Sequence, residues 1–160
     1  MRCAAPPGGA MPFDHHPTVW AAFNRYYGTL WSEGVVDQAT KEVGRLRNAR
    51  VTGCGICKNL RFEGARDAGL HESAVRLIDD GYDHTDLPNR WQLAIRLADA
   101  LIADARVDAS LRAALLAEFT AEQIVELTAT ITTAIAFSKA AVAFGAPPEM
   151  PVTVVPTPSV

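Results

Sequence analysis

Apolar residues along the chain recur at intervals of three and four, and the runs between them are closed by capping or breaking residues. Val19, Phe23, Tyr26, Tyr27 and Leu30 fall on one side of a helix predicted from about Thr18 to Leu30. A second helix is predicted from about Val36 to Val51, with Asp37 near its start. Val51-Thr52-Gly53 is a short break, and a third helix is predicted from about Cys54 to Ala68, stopped by Gly69. A short helix from about Glu72 to Ile78 precedes the loop "DDGYDHTDL". Pro88 suits the first turn of a helix reaching about Asp104. "DASLRAALLAEF" is a further short helix, and Thr120-Ala121-Glu122-Gln123 is a capping box opening a helix to about Phe144.

No five-residue stretch alternates with β-branched enrichment except "PVTVVPTP". Its prolines at 151, 156 and 158 make it an extended arm. The pattern therefore predicts an all-α, single-domain helical bundle over residues 18–145. A flexible N-terminal arm spans 1–17 and a Pro-rich C-terminal tail spans 146–160.

The last helix is apolar nearly all round from Ala129 to Phe144. A helix with no polar face is central in its domain or shared between subunits, and part of it is predicted to be a subunit interface. It is not read as a membrane span: about 16 apolar residues fall short of the roughly 20 required. Thr132, Thr133, Ser138 and Lys139 also interrupt it.

Composition narrows the partners. Apolar residues make up 49% of the 160, mean hydropathy is +0.05 and formal net charge is −3. Such a chain can build a core, and it has no basic surplus for nucleic acid or an acidic membrane surface. The opening "MRCAAPPGGAMPFDHHP" lacks the apolar run of a secretory signal, so the expected compartment is the cytoplasm, with Met1 and Met11 both open as the start.

In that compartment thiols are normally reduced, which gives Cys54-Gly-Ile-Cys57 its interest. A structural zinc site needs four ligands, usually two close pairs. Only one pair is present, and His15, His16, His71 and His84 show no H-x3-H spacing. The cysteines could be small core hydrophobes. Yet they open a helix between Gly53 and Gly55, with Lys58 and Arg61 following, which is the electropositive setting that activates a thiol. Dithiol redox chemistry is the third reading and the one these neighbours favour. If the helix continues, positions 54, 57, 58 and 61 share one face.

Folding at Thr52-Gly53 would make the second and third helices an antiparallel hairpin. Arg61 would then face the region of Glu42, which shares a stripe with Arg45, Leu46 and Ala49. In a straight helix Glu42 and Cys54 would be roughly 18 Å apart. The hairpin predicts an Arg61–Glu42 ion pair beside Cys57.

Glu42, Cys54-x-x-Cys57 and a polar residue at 61, within "KEVGRLRNARVTGCGICKNLRFEGARDAGL", resemble the carboxymuconolactone decarboxylase superfamily, alkyl hydroperoxidase D-like branch. The detailed match runs over roughly residues 28–82 and the helical layout to about 145. The resemblance implies a thiol peroxidase or disulfide reductase that needs no cofactor or metal and reduces peroxides in antioxidant defence. Cys57 would correspond to the attacking thiol, Cys54 to the resolving thiol and Glu42 to the group that helps deprotonation. Local charge does not choose alone, since the helix terminus favours Cys54 and proximity to Arg61 favours Cys57. The family pattern has His at the positions held here by Ile56 and Arg61, and arginine cannot relay a proton. The founding decarboxylase activity does not use a cysteine pair. The alternative is a non-catalytic oligomeric helical protein of the same fold whose dithiol is redox-sensing or vestigial. Expected partners are further copies of the chain in a dimer-based trimer or hexamer, a peroxide, and a thiol electron donor or peroxiredoxin.

His71 and His84 are read as solvated, and Trp20, Trp31 and Trp91 as core or interface aromatics.

Overall fold

A computed structural model of the chain describes residues 15–147 and 149–160. Cys3, Met11 and most of the predicted N-terminal arm lie outside them. The described helices are α1 (Pro17–Ser32), α2 (Gln38–Val51), α3 (Gly55–Asn59), α4 (Glu63–Asp67), α5 (Glu72–Val75), α6 (Asn89–Ala103), α7 (Ala109–Glu118) and α8 (Ala121–Ala143). Two three-residue strands, β1 (Leu60–Phe62) and β2 (Thr153–Val155), pair in parallel. The fold is all-α.

Side chains set most helix starts. Asp37, Asp108 and Thr120 each accept the backbone N–H three residues on, and Gln123 completes the capping box on Thr120. Pro88 caps α6 from just outside it. Gly69 follows α4 with φ of +94°, a left-handed conformation that glycine adopts without strain. Where a longer helix is predicted to Ile78, α5 stops at Val75: Leu77 and Ile78 N–H bond three residues back to Ala74 and Val75, and Arg50 also takes the carbonyls of Val75 and Ile78 at 2.8 and 2.7 Å. The predicted loop after it holds one turn of 3₁₀-helix at Tyr82–His84.

Helix α2 is the axis of the bundle, packed chiefly against α6 and α8. All its residues from Ala39 to Ala49 are buried, including Lys41, Glu42, Arg45, Arg47 and Asn48. A buried charge is tolerable only with a partner. Lys41 meets Glu126 of α8, Arg47 meets Asp80 and Asp99, and Asn48 donates to Ser138 Oγ. Around these contacts Val43, Leu46, Ile95, Leu97, Leu127 and Ile131 form the main core.

Helix α8 buries one face, from Leu127 through Ile131 and Ala134 to Ala141. Val125 and Val142 remain exposed. At 23 residues it is long and apolar enough to cross a membrane, more than the stretch from Ala129 suggested. Here its inner face packs on α2 as a bundle helix does. The predicted apolar face of α1 divides. Leu30 is buried and Tyr27 half-buried, whereas Val19 and Tyr26 point outward at 54% and 48% exposure. Trp31 is in the core, as predicted.

The largest departure is the third helix. It is broken at Leu60–Phe62, because side chains from elsewhere take the groups a continuous helix would pair. Arg45 Nη1 takes the Cys57 carbonyl (2.6 Å) and Nη2 that of Leu60 (2.8 Å). Arg61 Nη1 takes the Lys58 carbonyl (2.7 Å), and Phe62 N–H donates to Glu42 (3.3 Å). The freed stretch becomes β1, paired with the C-terminal segment in the register Leu60–Thr153, Arg61–Val154, Phe62–Val155. The segment read as an extended arm is thus extended and docked.

Candidate active site

Gly53, at φ of +69°, turns the chain from α2 into α3, and Cys54 N–H closes the turn on Ala49 O at 3.1 Å. Cys54 is the N-cap of α3, with Sγ accepting the Cys57 N–H at 3.2 Å. Cys54 and Cys57 are disulfide-bonded, with Cα atoms 5.3 Å apart. Both are buried, at 0% and 6% exposure.

A cavity of about 90 Å³ reaches this pair from one side. Cys57 lines it and Cys54 does not. Ile56, Leu60, Phe62 and Phe137 give it an apolar wall, and Arg45 also lines it. The aromatic part is ordered by stacking: Phe23 lies 5.4 Å from Phe137 and 5.3 Å from Tyr27, and Phe62 meets Trp31 edge-on at 4.6 Å. None of the described residues lining the cavity is a histidine.

Glu42 lies behind Arg45. Arg45 Nε and Nη2 each donate to a Glu42 carboxylate oxygen at 2.7 Å, a bidentate pair within α2. The other Arg45 donors hold the Cys57 and Leu60 carbonyls, and the guanidinium sits 5.0 Å above the Phe62 ring. A permanent positive charge is thereby fixed against the peptide that carries Cys57.

The predicted Arg61–Glu42 pair is not formed. With the helix broken at β1, Arg61 Nε donates instead to Glu72 Oε1 at 2.7 Å. Arg61 does not line the cavity. Lys58, also placed on the cysteine face by helical phase, pairs with Glu149 at the surface. The structure therefore brings together Cys54, Cys57, Glu42 and Arg45, and leaves Arg61 outside. Arg45 was assigned no role from sequence, although its spacing of three from Glu42 on one helix was the available signal. Among the described residues no group of three His, Cys, Asp or Glu side chains converges as a metal site. His71 caps α5 through its backbone position alone, and His84 is largely exposed.

No protein-family model matches the chain. Two uncharacterized proteins of Mycobacterium tuberculosis, MT2376 and Rv2313c, are each 34% identical to it over 140 residues, covering 86% of this chain and 49% of theirs. The chain thus spans about half the length of the curated relatives it matches. A crystal structure of ATU0492 from Agrobacterium tumefaciens, a protein of unknown function and candidate antioxidant defence protein AhpD, superposes with a TM-score of 0.72. That match has 21% identity and covers 82% of this chain and 91% of that one. The chain has the alkyl hydroperoxidase D-like all-α fold, and carries a C-x-x-C pair within it.

Proposed function

We propose that the chain is a thiol-dependent peroxidase or disulfide reductase acting in antioxidant defence, with Cys57 as the attacking thiol and Cys54 as the resolving one. The observation that carries this is the disulfide-bonded pair with only Cys57 opening on the cavity. In the reduced protein the Cys57 thiolate attacks the terminal oxygen of a hydroperoxide. An S–O bond forms, the O–O bond breaks, and the alkoxide leaves as an alcohol after taking a proton. Cys54 then attacks the sulfenic sulfur, the S–S bond forms, and hydroxide leaves as water. A thiol donor supplies two electrons and two protons to restore the dithiol.

Arg45 favours the Cys57 thiolate by its charge, and the α3 amide at Cys57 steadies Cys54 sulfur. Glu42 is a positioning residue, occupied by three donors and acting through Arg45. Cytoplasmic location and a homo-oligomer larger than the 17.2 kDa chain belong to the same proposal, the latter tested by light scattering.

One observation favours the non-catalytic reading, in which the dithiol only senses oxidation. Glu42 is sealed by Arg45, and no described cavity residue can shuttle a proton as histidine does. Turnover separates the two. The reduced protein is mixed with one equivalent of cumene hydroperoxide, and thiols are counted before, after, and following addition of a dithiol. A peroxidase loses two thiols at once, regains them and continues to consume peroxide, and Cys57→Ser loses none. Two-thiol loss without turnover supports the sensor; no loss refutes both.

A further inference from the structure

After β2 the chain forms one side of the cysteine cavity. Thr157 Oγ1 accepts the Gly64 N–H at 2.8 Å, Pro158 is buried, and Pro158 and Ser159 line the cavity with Cys57 and Arg45. Two glycines permit this course. A Cβ on Gly28, in the middle of α1, would lie 2.6 Å from the backbone carbon and oxygen of Ser159. One on Gly64 would lie 2.7 Å from Thr157 Oγ1. Helix propensity disfavours glycine at a position such as 28, so close backbone approach is the physical reason for it. Pro151, Pro156 and Pro158 restrict the chain to extended conformations and reduce the entropy lost on docking. The attachment is still lighter than that of a bundle helix. A three-residue ladder, one side-chain bond, the packing of Val155 and the burial of Pro158 hold it, while Thr153 and Val154 are exposed. Segments held this way open locally far more often than core helices such as α2.

We propose that residues 157–159 are a specificity-determining wall of the cysteine cavity. In place, the wall admits small reagents to Cys57 and turns away bulky ones; displaced, it exposes the sulfur to a macromolecular thiol. The inference rests on the assignment of Cys57 as the accessible thiol.

The test uses the reduced full chain carrying Cys3→Ser and Cys54→Ser, so that Cys57 alone reports. Alkylation is timed with iodoacetamide, where the thiolate displaces iodide. It is timed again with a polyethylene-glycol maleimide, where the thiolate adds across the double bond. With Gly28 intact, the maleimide should lag far behind iodoacetamide relative to their rates on a free cysteine peptide. Gly28→Val, whose side chain must push back the Ser159 backbone, should speed the maleimide by about tenfold or more through a larger open population, and iodoacetamide less than about twofold. Thr157→Val, which removes one hydrogen bond in a segment outside the bundle, should give a smaller change in the same sense, about threefold. Equal acceleration of both reagents, no change with either variant, or a parent protein that shows no size discrimination overturns the wall. Because alkylation needs no peroxide, a protein that passes here yet ignores peroxide loses the peroxidase reading and keeps the wall.

Discussion

Arg45, and not Arg61, is the guanidinium that holds Glu42. Its Nε and Nη2 reach the two carboxylate oxygens at 2.7 Å each, with both side chains almost wholly buried. The same side chain holds the carbonyls on either side of Lys58 and Asn59, so one residue joins α2, the cysteine helix α3 and the start of β1. A buried pair of this kind is weak evidence for net stability, but breaking it from one side strands a charge.

Arg45→Met is therefore expected to cost about 3–5 kcal/mol in urea unfolding, because the buried Glu42 loses its charged partner and two of its three donors while two carbonyls lose theirs. Pairing it with Glu42→Leu should recover a substantial part of that loss. A single variant within about 1 kcal/mol of wild type would show that the carboxylate finds other donors.

Arg61 should behave differently. Its partner Glu72 is half exposed, and its other contacts are local carbonyls. Arg61→Ala is expected to cost about 1–2 kcal/mol. It should leave the pH dependence of Cys57 alkylation unchanged, while Arg45→Lys shifts that curve. An Arg61→Ala curve displaced to higher pH would return Arg61 to the site.

These two residues mark where sequence stops being sufficient. The helix start at Thr120 was legible because the capping acceptor and its N–H lie three residues apart, and the starts beside Asp37 and Asp108 fall within about two residues of those predicted, although neither is read as a cap from sequence. The spacing of the cysteine pair is local too, and Gly53 marks the turn that leads into it, whereas Glu42 is reached only through the hairpin and the family resemblance. The break at β1 was not legible. Its causes are Arg45 and Glu42, far upstream, and Thr153, some ninety residues downstream. Helical phase carried through Leu60 then placed Arg61 on a face that ends with α3 at Asn59. The burial of α2 was hidden likewise, since a run containing Lys41, Arg45, Arg47 and Asn48 looks solvated until Glu126, Asp80, Asp99 and Ser138 are brought to it.

Asp37 gives a pH-dependent prediction. Partial burial pushes its carboxyl up, but the Thr40 backbone N–H, the Thr40 hydroxyl and the Arg90 guanidinium outweigh this and hold it below the ordinary 3.8. With the folded value depressed, its stabilisation is present above the unfolded value and is lost as pH falls through the folded one. Asp37→Ala should cost about 1 kcal/mol at pH 7. Asp37→Asn, which still caps but cannot titrate, should show a shallower loss of stability below about pH 4. Parallel acid limbs for Asn and wild type would remove Asp37 from the acid transition. High salt should shrink the Arg90 share, since that pair is partly exposed.

The last prediction concerns Lys41, whose side chain is 0% exposed. Its ammonium donates to the Leu30 carbonyl at 2.8 Å and to Glu126 Oε1 at 3.0 Å, closing the C-terminal end of α1 where a positive charge is favoured. Glu126 Oε2 in turn accepts the backbone N–H groups of Val35 at 2.6 Å and Val36 at 3.0 Å. The pair thus ties the α1–α2 connection to α8. Lys41→Met should cost about 3–5 kcal/mol, because it takes the charged partner from a nearly buried carboxylate and uncaps α1 at once. Glu126→Gln, which keeps an acceptor for the connection but no charge for Lys41, should cost less, about 1–3 kcal/mol. Gly34 offers an independent check, since a Cβ there would lie 1.8 Å from Glu126 Oε1. A free glutamate would swing aside, but this one is held by three donors, so Gly34→Ala should also destabilise, by about 1–3 kcal/mol. In the Glu126→Ala background the same Gly34→Ala change should cost almost nothing, because the obstructing carboxylate is gone. A double-mutant cycle in urea measures that coupling directly. If Gly34→Ala is equally costly with and without Glu126, the carboxylate is not fixed at the connection and its role in joining α8 to α1 is lost.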